Sequence, residues 1–163
     1  MQKEKVLFVC LHNSARSQMA EALLNHLAGD RFIAESAGLE PGKLNPLAAD
    51  AMKEMGIDIS HKGTQDVFEL FKQGRMFKYV VTVCDEANGE RCPLFPGIAK
   101  KMHWGFPDPS TLQGTYPEKL RATIAIRDQI RHRIELWLEE VAVEVVSLAT
   151  DLPYRRTFED LEP

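Results

Sequence analysis

Short strand-like runs and amphipathic helical patterns alternate along this chain, and that order limits the folds open to it. Four runs are predicted to be strands, at Lys5–Val9, Phe32–Ser36, Tyr79–Val83 and Lys100–Trp104. Helical periodicity occurs at Ser17–Leu27, at Leu47–Met55, more weakly at Asp66–Lys72, and in a long segment from Pro117. This alternation predicts an α/β fold with a parallel sheet covered on both faces, which binds ligands at the carboxyl ends of its strands. Cys10 and Cys84 both follow predicted strands at that edge.

The chain is long enough for one domain with a sizeable core. Its 163 residues are 44% hydrophobic and 27% charged, which is typical of a globular protein and not of a disordered chain. We assign residues 1–149 to the domain and 150–163 to a peripheral C-terminal tail, because the last stretch is mixed in composition and acidic at its end. The net charge of −4 gives no electrostatic reason to expect binding to nucleic acid or to a membrane, so any anion site must be local.

The apolar runs and the cysteine count indicate the compartment. The run Val6–Val9 is too short for a signal-peptide core, and no stretch reaches the ~18 apolar residues of a membrane span. Three cysteines without a secretion signal favour reduced thiols over a disulfide framework, although a buried cysteine can also serve only as a small apolar residue. The sequence therefore predicts a soluble, cytoplasmic protein.

The segment between the first strand and the first helix has the pattern of an oxyanion-binding loop. It begins with Cys10, ends at Arg16 and leads directly into a helix. Main-chain N–H groups of such a loop, together with the helix dipole, can hold a tetrahedral oxyanion. The predicted binding residues are Leu11, His12, Asn13, Ser14, Ala15 and Arg16.

Side chains of this loop have predicted roles in the chemistry. The planar guanidinium of Arg16 can bind two oxygens and stabilise charge that develops during group transfer. Cysteines at helix N-termini or beside cations ionise readily, so we expect Cys10 to be a thiolate nucleophile. Ser17 is placed either to donate its hydroxyl to that sulfur or to cap the helix, and Asn13 tolerates the left-handed backbone that a tight loop needs. His12 is expected to face solvent rather than to modulate Cys10. The alternative is a core cysteine, a capping serine and a surface arginine.

A carboxylic acid is needed where an oxygen leaves the oxyanion, because the leaving oxygen takes a proton. Asp108 is the candidate because the prolines on either side restrict its backbone, and Asp85 beside Cys84 is a weaker alternative. From spacing alone, an ordinary Asp-Pro turn is the simpler interpretation of Asp108.

Several short motifs, specific in combination, are spread over most of the chain. They are Val9-Cys10 through Glu21, Ser36-Ala37-Gly38, Asn45-Pro46, Met52-Lys53-Glu54, Gly56–Ser60, and His103-Trp104-Gly105-Phe106 before Asp108-Pro109. From about residue 4 to about residue 140 the chain resembles thioredoxin-coupled arsenate reductases of the low-molecular-weight protein tyrosine phosphatase fold family. The resemblance implies a single three-layer domain with a four-stranded parallel sheet flanked by helices. It also implies reduction of arsenate to arsenite, with Asp108 as the general acid.

Cys84 and Cys92 enclose a polar segment that contains a glycine and has no apolar residue to fix it to the core. A metal site that uses both cysteines and His103 is conceivable, but their separations do not fit common zinc spacings. The resemblance implies a redox relay, in which Cys84 attacks the sulfur of an arsenylated Cys10, arsenite leaves, and Cys92 then attacks Cys84. In that family thioredoxin reduces the resulting Cys84–Cys92 disulfide.

The resemblance further implies a potassium ion near the loop, and no tightly bound cofactor is expected. The ligands implied for the ion are Asn13, Glu21, Ser36 and Asp66. Their oxygen atoms suit a hard cation, although each group can equally be a capping or surface residue.

The alternative function is a phosphatase acting on phosphotyrosine or a small phosphate ester, in which Cys10 forms a phosphocysteine that water hydrolyses. Tyrosine phosphatases of this fold usually carry an aromatic residue after the Asp-Pro pair, where this chain has Ser110, and they need no second and third cysteine. Both features favour the reductase, with residual phosphatase activity because the same loop accepts phosphate. In a third class, a non-catalytic binding module, replacing Cys10 by Ser leaves every activity intact.

Overall fold

A four-stranded parallel sheet forms the centre of the molecule. The computed structural model describes residues 2–85 and 97–150. The strands are β1 (Glu4–Cys10), β2 (Phe32–Gly38), β3 (Tyr79–Thr82) and β4 (Lys100–His103), in the order β2-β1-β3-β4 across the sheet. Each strand runs parallel to its neighbours. The predicted α/β class and the four-stranded parallel sheet are confirmed.

Helices cover both faces of the sheet. Within the described residues the α-helices are α1 (Arg16–Ala28), α2 (Pro46–Glu54), α3 (Val67–Lys72) and α4 (Tyr116–Thr150). Side chains alternate between the faces along a strand, so Val6 and Phe8 of β1 contribute to one core, and Leu7 and Val9 contribute to the other. The first core includes residues of α1, α2 and α4, whereas the second is smaller and includes residues of α3. The predicted three-layer arrangement is confirmed, with layers of unequal size.

The element boundaries differ from the sequence prediction by no more than one or two residues. β3 ends at Thr82 rather than Val83, although the Val83 N–H still donates to the Val9 carbonyl at 2.9 Å. β4 ends at His103, and the Trp104 N–H donates to the Thr82 carbonyl at 2.8 Å. Hydrogen bonding between neighbouring strands therefore continues past both strand ends, toward the edge that carries the cysteines.

Helix α4 packs its apolar stripe along the sheet, as its periodicity predicts. Ile130, Ile134 and Trp137 are buried in the larger core. The Trp137 ring centroid lies 5.0 Å from that of Phe32 and 5.1 Å from that of Tyr79. This aromatic cluster fixes α4 against the face of the sheet that also carries α1.

The structure describes the C-terminal part of the chain only as far as the predicted start of the tail. Helix α4 continues to Thr150, the first residue of the predicted tail. Residues 151–163 lie outside the described residues, so the division into a domain (1–149) and a tail (150–163) stays a prediction. Within residues 2–85 and 97–150, no helix is long and apolar enough to cross a membrane.

Candidate active site

The oxyanion loop, residues 10–16, connects β1 to α1 at the carboxyl edge of the sheet. Three of its carbonyl groups accept hydrogen bonds of 2.8, 3.0 and 2.8 Å from backbone N–H groups of the segment 40–45. These carbonyls belong to Leu11, His12 and Ser14. The described peptide bonds are trans, and a trans peptide points its N–H opposite to its carbonyl. The N–H groups of His12, Asn13 and Ala15 therefore face the other side of the loop.

The Cys10 sulfur is buried on that side of the loop. The Asn13 N–H donates to it at 3.2 Å. This agrees with the opposite orientation of the His12 carbonyl, which belongs to the same peptide group and accepts from the segment 40–45. The Ser17 hydroxyl lies 2.9 Å from the same sulfur. Because the Ser17 oxygen accepts from the Asn13 side-chain amide at 2.8 Å, its own hydrogen can be donated to the sulfur. Two donors thus face the Cys10 sulfur, the atom predicted to act as the nucleophile.

The N-terminus of α1 decides between the two predicted roles of Ser17. The helix begins at Arg16, its N-cap residue is Ala15, and that cap makes no side-chain hydrogen bond. Ser17 therefore contacts the sulfur and does not cap the helix. A helix start without a side-chain cap leaves backbone N–H donors for a bound anion.

Asn13 adopts the left-handed backbone that its residue type allows, with a φ of 54°. The residue is fully buried. Its carboxamide oxygen accepts from the Gln65 backbone N–H at 2.9 Å and from the Gln18 side-chain amide at 3.3 Å. These contacts hold the side chain in place, so its amide group is directed at Ser17.

Gly38, the last residue of β2, allows the loop to approach the sheet closely. A Cβ atom at this position would lie 2.8 Å from the Asn13 nitrogen, 2.8 Å from the Leu11 oxygen and 2.9 Å from the His12 carbonyl carbon. All three are backbone atoms of the oxyanion loop, so any larger residue would force the loop to move.

Arg16 and Asp108 lie next to each other at the first turn of α1. Arg16 is 3% exposed; one guanidinium nitrogen donates to the Phe106 carbonyl at 3.1 Å and another lies 3.5 Å from Asp108 Oδ2. Asp108 Oδ1 accepts from the Ser110 N–H at 2.9 Å and caps the 3-10 turn Pro109–Thr111. The segment that follows β4 therefore places a carboxyl group beside the arginine of the loop.

His12 bonds to the backbone rather than to the sulfur. Its Nδ1 donates to the Glu40 carbonyl at 3.0 Å. The side chain is half-buried and fixes the segment after β2 to the loop. His12, which we expected to face solvent, is therefore only partly exposed and also helps to hold the loop in place.

Cys84 is buried just past the end of β3, the strand next to β1. The hydrogen bond from the Val83 N–H to the Val9 carbonyl puts Cys84 at the same edge of the sheet as Cys10. Cys92 lies outside the described residues, so its part in the relay stays a prediction. Asp85, the alternative acid, is half-buried directly after Cys84.

The side-chain oxygens of the four residues implied as potassium ligands already contact other groups of the protein. The Ser36 hydroxyl donates to Glu21 Oε1 at 3.3 Å, and the Lys62 ammonium contacts Glu21 Oε2. The Asn13 oxygen accepts the two hydrogen bonds described above, while Asp66 caps α3 by accepting from the Phe68 N–H at 2.8 Å. Among the described residues, no three His, Cys, Asp or Glu side chains cluster as a metal site. As arranged, the set does not fit a further cation, because an ammonium group already faces the carboxylate.

The Lys62 ammonium is partly buried where it contacts Glu21, and this burial lowers its pKa.

Sequence reasoning missed the contributions of Gln18, Gly38, Lys62 and Gln65 to this site. Each acts through a partner on another element, and no local pattern predicts such a contact. The available signal was the position of Gly38, two residues after the end of a predicted strand, at the edge where Cys10 was expected.

Comparisons with known proteins agree with this geometry. The family model for low molecular weight phosphotyrosine protein phosphatases matches residues 5–147. An arsenate reductase from Shouchella clausii is 41% identical over 139 residues, covering 85% of this chain and 98% of that protein. An arsenate reductase from Bacillus subtilis is 40% identical over 141 residues, with the same coverage of 85% and 98%.

Solved structures show the same relationship. An arsenate reductase in its reduced state matches with a TM-score of 0.67 and 28% identity, covering 85% of this chain and 98% of that one. An arsenate reductase in a phosphate binding state matches with a TM-score of 0.66 and 27% identity, covering 84% and 98%. A thioredoxin-dependent arsenate reductase from Corynebacterium glutamicum matches with a TM-score of 0.57 and 31% identity, covering 84% and 61%.

The chain therefore belongs to the low molecular weight phosphotyrosine protein phosphatase family. Its similarity within that family is to proteins named arsenate reductases, at about 40% identity over most of the chain.

Proposed function

We propose that this protein is an arsenate reductase with Cys10 as its nucleophile. The observation that carries the proposal is the position of the Cys10 sulfur, which faces the Asn13 N–H and the Ser17 hydroxyl in a loop that ends at the buried Arg16. The similarity to arsenate reductases over most of the chain supports the reaction. The relative in a phosphate binding state supports a tetrahedral oxyanion as the class of substrate.

In the first step the Cys10 thiolate attacks the arsenic atom of arsenate, so that a sulfur–arsenic bond forms and an arsenic–oxygen bond breaks. Arg16 and the N–H groups of the loop stabilise the charge on the remaining oxygens. Asp108 donates a proton to the leaving oxygen, which departs as water when the substrate oxygen already carries a proton. The position of Asp108 beside the oxyanion loop, 3.5 Å from the Arg16 guanidinium, supports its choice as the acid, because it brings a carboxyl group near the expected place of the leaving oxygen.

In the second step Cys84 attacks the Cys10 sulfur, the electron pair of the sulfur–arsenic bond passes to arsenic, and arsenite leaves. A Cys10–Cys84 disulfide remains, so the two sulfurs lose the two electrons that arsenic gains. Cys92 then attacks Cys84 and releases Cys10, and thioredoxin reduces the Cys84–Cys92 disulfide. The sheet edge shared by Cys10 and Cys84 supports the first exchange, and the thioredoxin-dependent relative supports the last.

Turnover with a coupled reductant tests the proposal. Arsenite production from arsenate is measured with thioredoxin, thioredoxin reductase and NADPH for the wild type and for Cys10→Ser, Cys84→Ser and Cys92→Ser. Each single variant is expected to lose multiple turnover, because the relay passes through all three thiols. Arsenite production by Cys10→Ser at the wild-type rate would overturn the proposal.

Hydrolysis of a phosphate ester is the second candidate function. The family to which the chain belongs favours it, and phosphate has the tetrahedral shape and charge that the loop suits. Ser110 after the Asp-Pro pair is small and exposed, so that position provides no aromatic ring to stack on phosphotyrosine. We expect slow hydrolysis of p-nitrophenyl phosphate that Cys84→Ser and Cys92→Ser retain. Phosphotyrosine hydrolysis faster than arsenate reduction would make the phosphatase the primary function.

The relay also defines the setting in which the protein works. Thiols that must return to the reduced form after each cycle need a reducing compartment, so we propose a cytoplasmic location. No tightly bound cofactor enters the proposed steps, since the cysteines carry the electrons.

A further inference from the structure

A nearly buried ion pair joins helix α1 to the segment that follows α2. The Glu21 side chain is 8% exposed, and its Oε2 contacts the ammonium of Lys62, whose side chain is 30% exposed. Glu21 Oε1 accepts from the buried Ser36 hydroxyl. A carboxylate at this depth is unfavourable without a cation beside it, because it has lost most of its hydration.

Lys62 begins a short segment that reaches the oxyanion loop. The next residue, Gly63, accepts a hydrogen bond from the Gln18 side-chain amide at 2.9 Å through its carbonyl. Gln65 donates its backbone N–H to the Asn13 oxygen at 2.9 Å and its side-chain amide to the Ser36 carbonyl at 3.0 Å. The segment 62–65 is therefore held between α1 and β2, and it holds Asn13.

Asn13 transmits this arrangement to the nucleophile. Its backbone is left-handed, its N–H donates to the Cys10 sulfur, and its side-chain amide donates to Ser17. A shift of the segment 62–65 would thus change the two donors that face the sulfur. The ion pair between Glu21 and Lys62 is the charged contact that keeps the segment against α1.

We propose that the Lys62 ammonium is a built-in cation that positions the oxyanion loop, so that the protein needs no potassium for this purpose. Lys62 and the potassium ion implied by the family resemblance compete for the same Glu21 carboxylate. Lys62 is a positioning residue, because it acts on Cys10 through Gln65 and Asn13. Its catalytic effect rests on the proposed arsenate reductase function, whereas the replacement of potassium does not.

Removing the ammonium group should uncover a site for a free cation. The oxygens then available are those of the Glu21 carboxylate and the Ser36 hydroxyl. Gln18 Oε1 is also buried and accepts no hydrogen bond from any described residue, and Gln18 lies on α1 three residues before Glu21. Such oxygens suit a hard monovalent cation. Potassium should therefore replace the ammonium in a Lys62→Met variant.

Thermal melting tests the replacement without reference to any activity. Wild type and Lys62→Met are melted in choline, lithium or potassium chloride at the same concentration of about 0.1 M, which keeps screening equal. The wild type is expected to melt at the same temperature in all three salts. Lys62→Met is expected to melt about 4–8 °C lower in choline, and potassium should restore at least half of that loss. If Lys62→Met folds only in potassium chloride, this also shows that potassium replaces the ammonium group.

Two further variants control for the charge change. Lys72→Met removes an exposed ammonium that pairs with Glu69 at 3.2 Å on α3, and it should change neither the melting temperature nor the salt response. The double variant Glu21→Gln/Lys62→Met removes both charges, so it should recover stability in choline and show no response to potassium. A potassium response that persists in the double variant would place the ion elsewhere and overturn the proposal.

Kinetics separate positioning from simple stability. In choline chloride at a temperature where the variant is folded, Lys62→Met should lose about tenfold or more in kcat/KM for arsenate, and potassium should restore it. A wild type stabilised by potassium as strongly as the variant would overturn the proposal. A loss that potassium does not repair, or no loss at all, would do the same. If the wild type reduces no arsenate, the melting data still decide the role of Lys62.

Discussion

A short chain of hydrogen bonds determines the surroundings of the Cys10 sulfur. Gln65 and Gln18 donate to the Asn13 oxygen, the Asn13 amide donates to Ser17, and the Ser17 hydroxyl is left to donate to the sulfur. The order of donors follows from the chemistry of each group, since an amide NH2 can only donate and its oxygen can only accept. The surroundings of the nucleophile thus depend on Gln18 and Gln65, which act through Asn13 and Ser17.

Replacing Ser17 by Ala tests the last hydrogen bond of this series, the one from the Ser17 hydroxyl to the Cys10 sulfur. The variant keeps the helix start, because Ser17 does not cap it, but removes one of the two donors to the sulfur. Hydrogen bonds to charged groups contribute about 1.5–3 kcal/mol, so alkylation of Cys10 by iodoacetamide at neutral pH should be about 10–100-fold slower. The rate is measured by mass spectrometry of the Cys10 peptide. Ser60→Ala, at an exposed serine, should alkylate at the wild-type rate, and an unchanged rate in Ser17→Ala would refute the role of its hydroxyl.

Gly38→Ala tests the space that the loop requires. The new methyl group would lie 2.8 Å from two backbone atoms of the loop, so the loop must shift while the sheet below it stays paired. A displacement of this kind should lower kcat/KM for arsenate by about 100-fold and leave most of the melting temperature intact. Wild-type activity in folded Gly38→Ala would show that the close approach of Gly38 does not matter.

Some elements contribute mainly to the stability of the fold, and others position side chains of the candidate site. Helix α4 supplies a buried stripe to the larger core, and it contributes no residue to the oxyanion loop. The 3-10 turn Pro109–Thr111, by contrast, holds Asp108 beside Arg16. Changes in the helix should therefore affect folding, and changes in the turn should affect catalysis.

Ile134→Ala and Leu136→Ala compare a buried and an exposed position of α4. Ile134 is 0% exposed and Leu136 is 40% exposed. Truncating Ile134 should lower the free energy of unfolding by about 2–4 kcal/mol, whereas the change at Leu136 should stay within about 0.5 kcal/mol. Urea denaturation measures both. The arsenate kcat/KM of each folded variant should match the wild type, and a large loss of activity in folded Ile134→Ala would connect α4 to the site.

Asp108→Asn separates the two roles of this side chain, as proton donor to the substrate and as cap of the 3-10 turn. An asparagine oxygen can still accept from the Ser110 N–H and keep the turn, but the amide cannot donate the proton that the leaving oxygen needs. The first-step rate with arsenate should fall by about 10²–10⁴-fold without a change in melting temperature. Asp58→Asn is the control, because Asp58 makes the same kind of bond to the Ser60 N–H at 2.9 Å, in an exposed turn. An active Asp108→Asn would return the role of acid to Asp85.

The parallel sheet gathers distant parts of the chain at one edge of the molecule. Cys10 ends β1, Gly38 ends β2, Cys84 follows β3, and Asp108 lies in the segment after β4. Parallel strands bring their carboxyl ends to the same edge, so four sequence-distant residues come together without any local signal. The proposed chemistry therefore depends on the whole sheet and not on the loop alone.

This geometry also explains what the sequence could predict. Strands and helices follow from local periodicity, so their positions were predicted to within two residues, and the loop after β1 was identified from Cys10, Arg16 and the helix that follows. The contact between Glu21 and Lys62 depends on how the segment after α2 packs against α1, which no periodicity contains. The clash that excludes a side chain at Gly38 likewise exists only in the folded chain.

A single turnover without external reductant shows whether Cys10, Cys84 and Cys92 reduce arsenate. Fully reduced protein is mixed with arsenate, the arsenite released is counted, and the disulfide formed is mapped by mass spectrometry. We expect one arsenite per chain and a Cys84–Cys92 disulfide, because three thiols can supply two electrons once. No arsenite and three intact thiols would refute the proposed reductase function, and a final disulfide between any other pair would refute the relay.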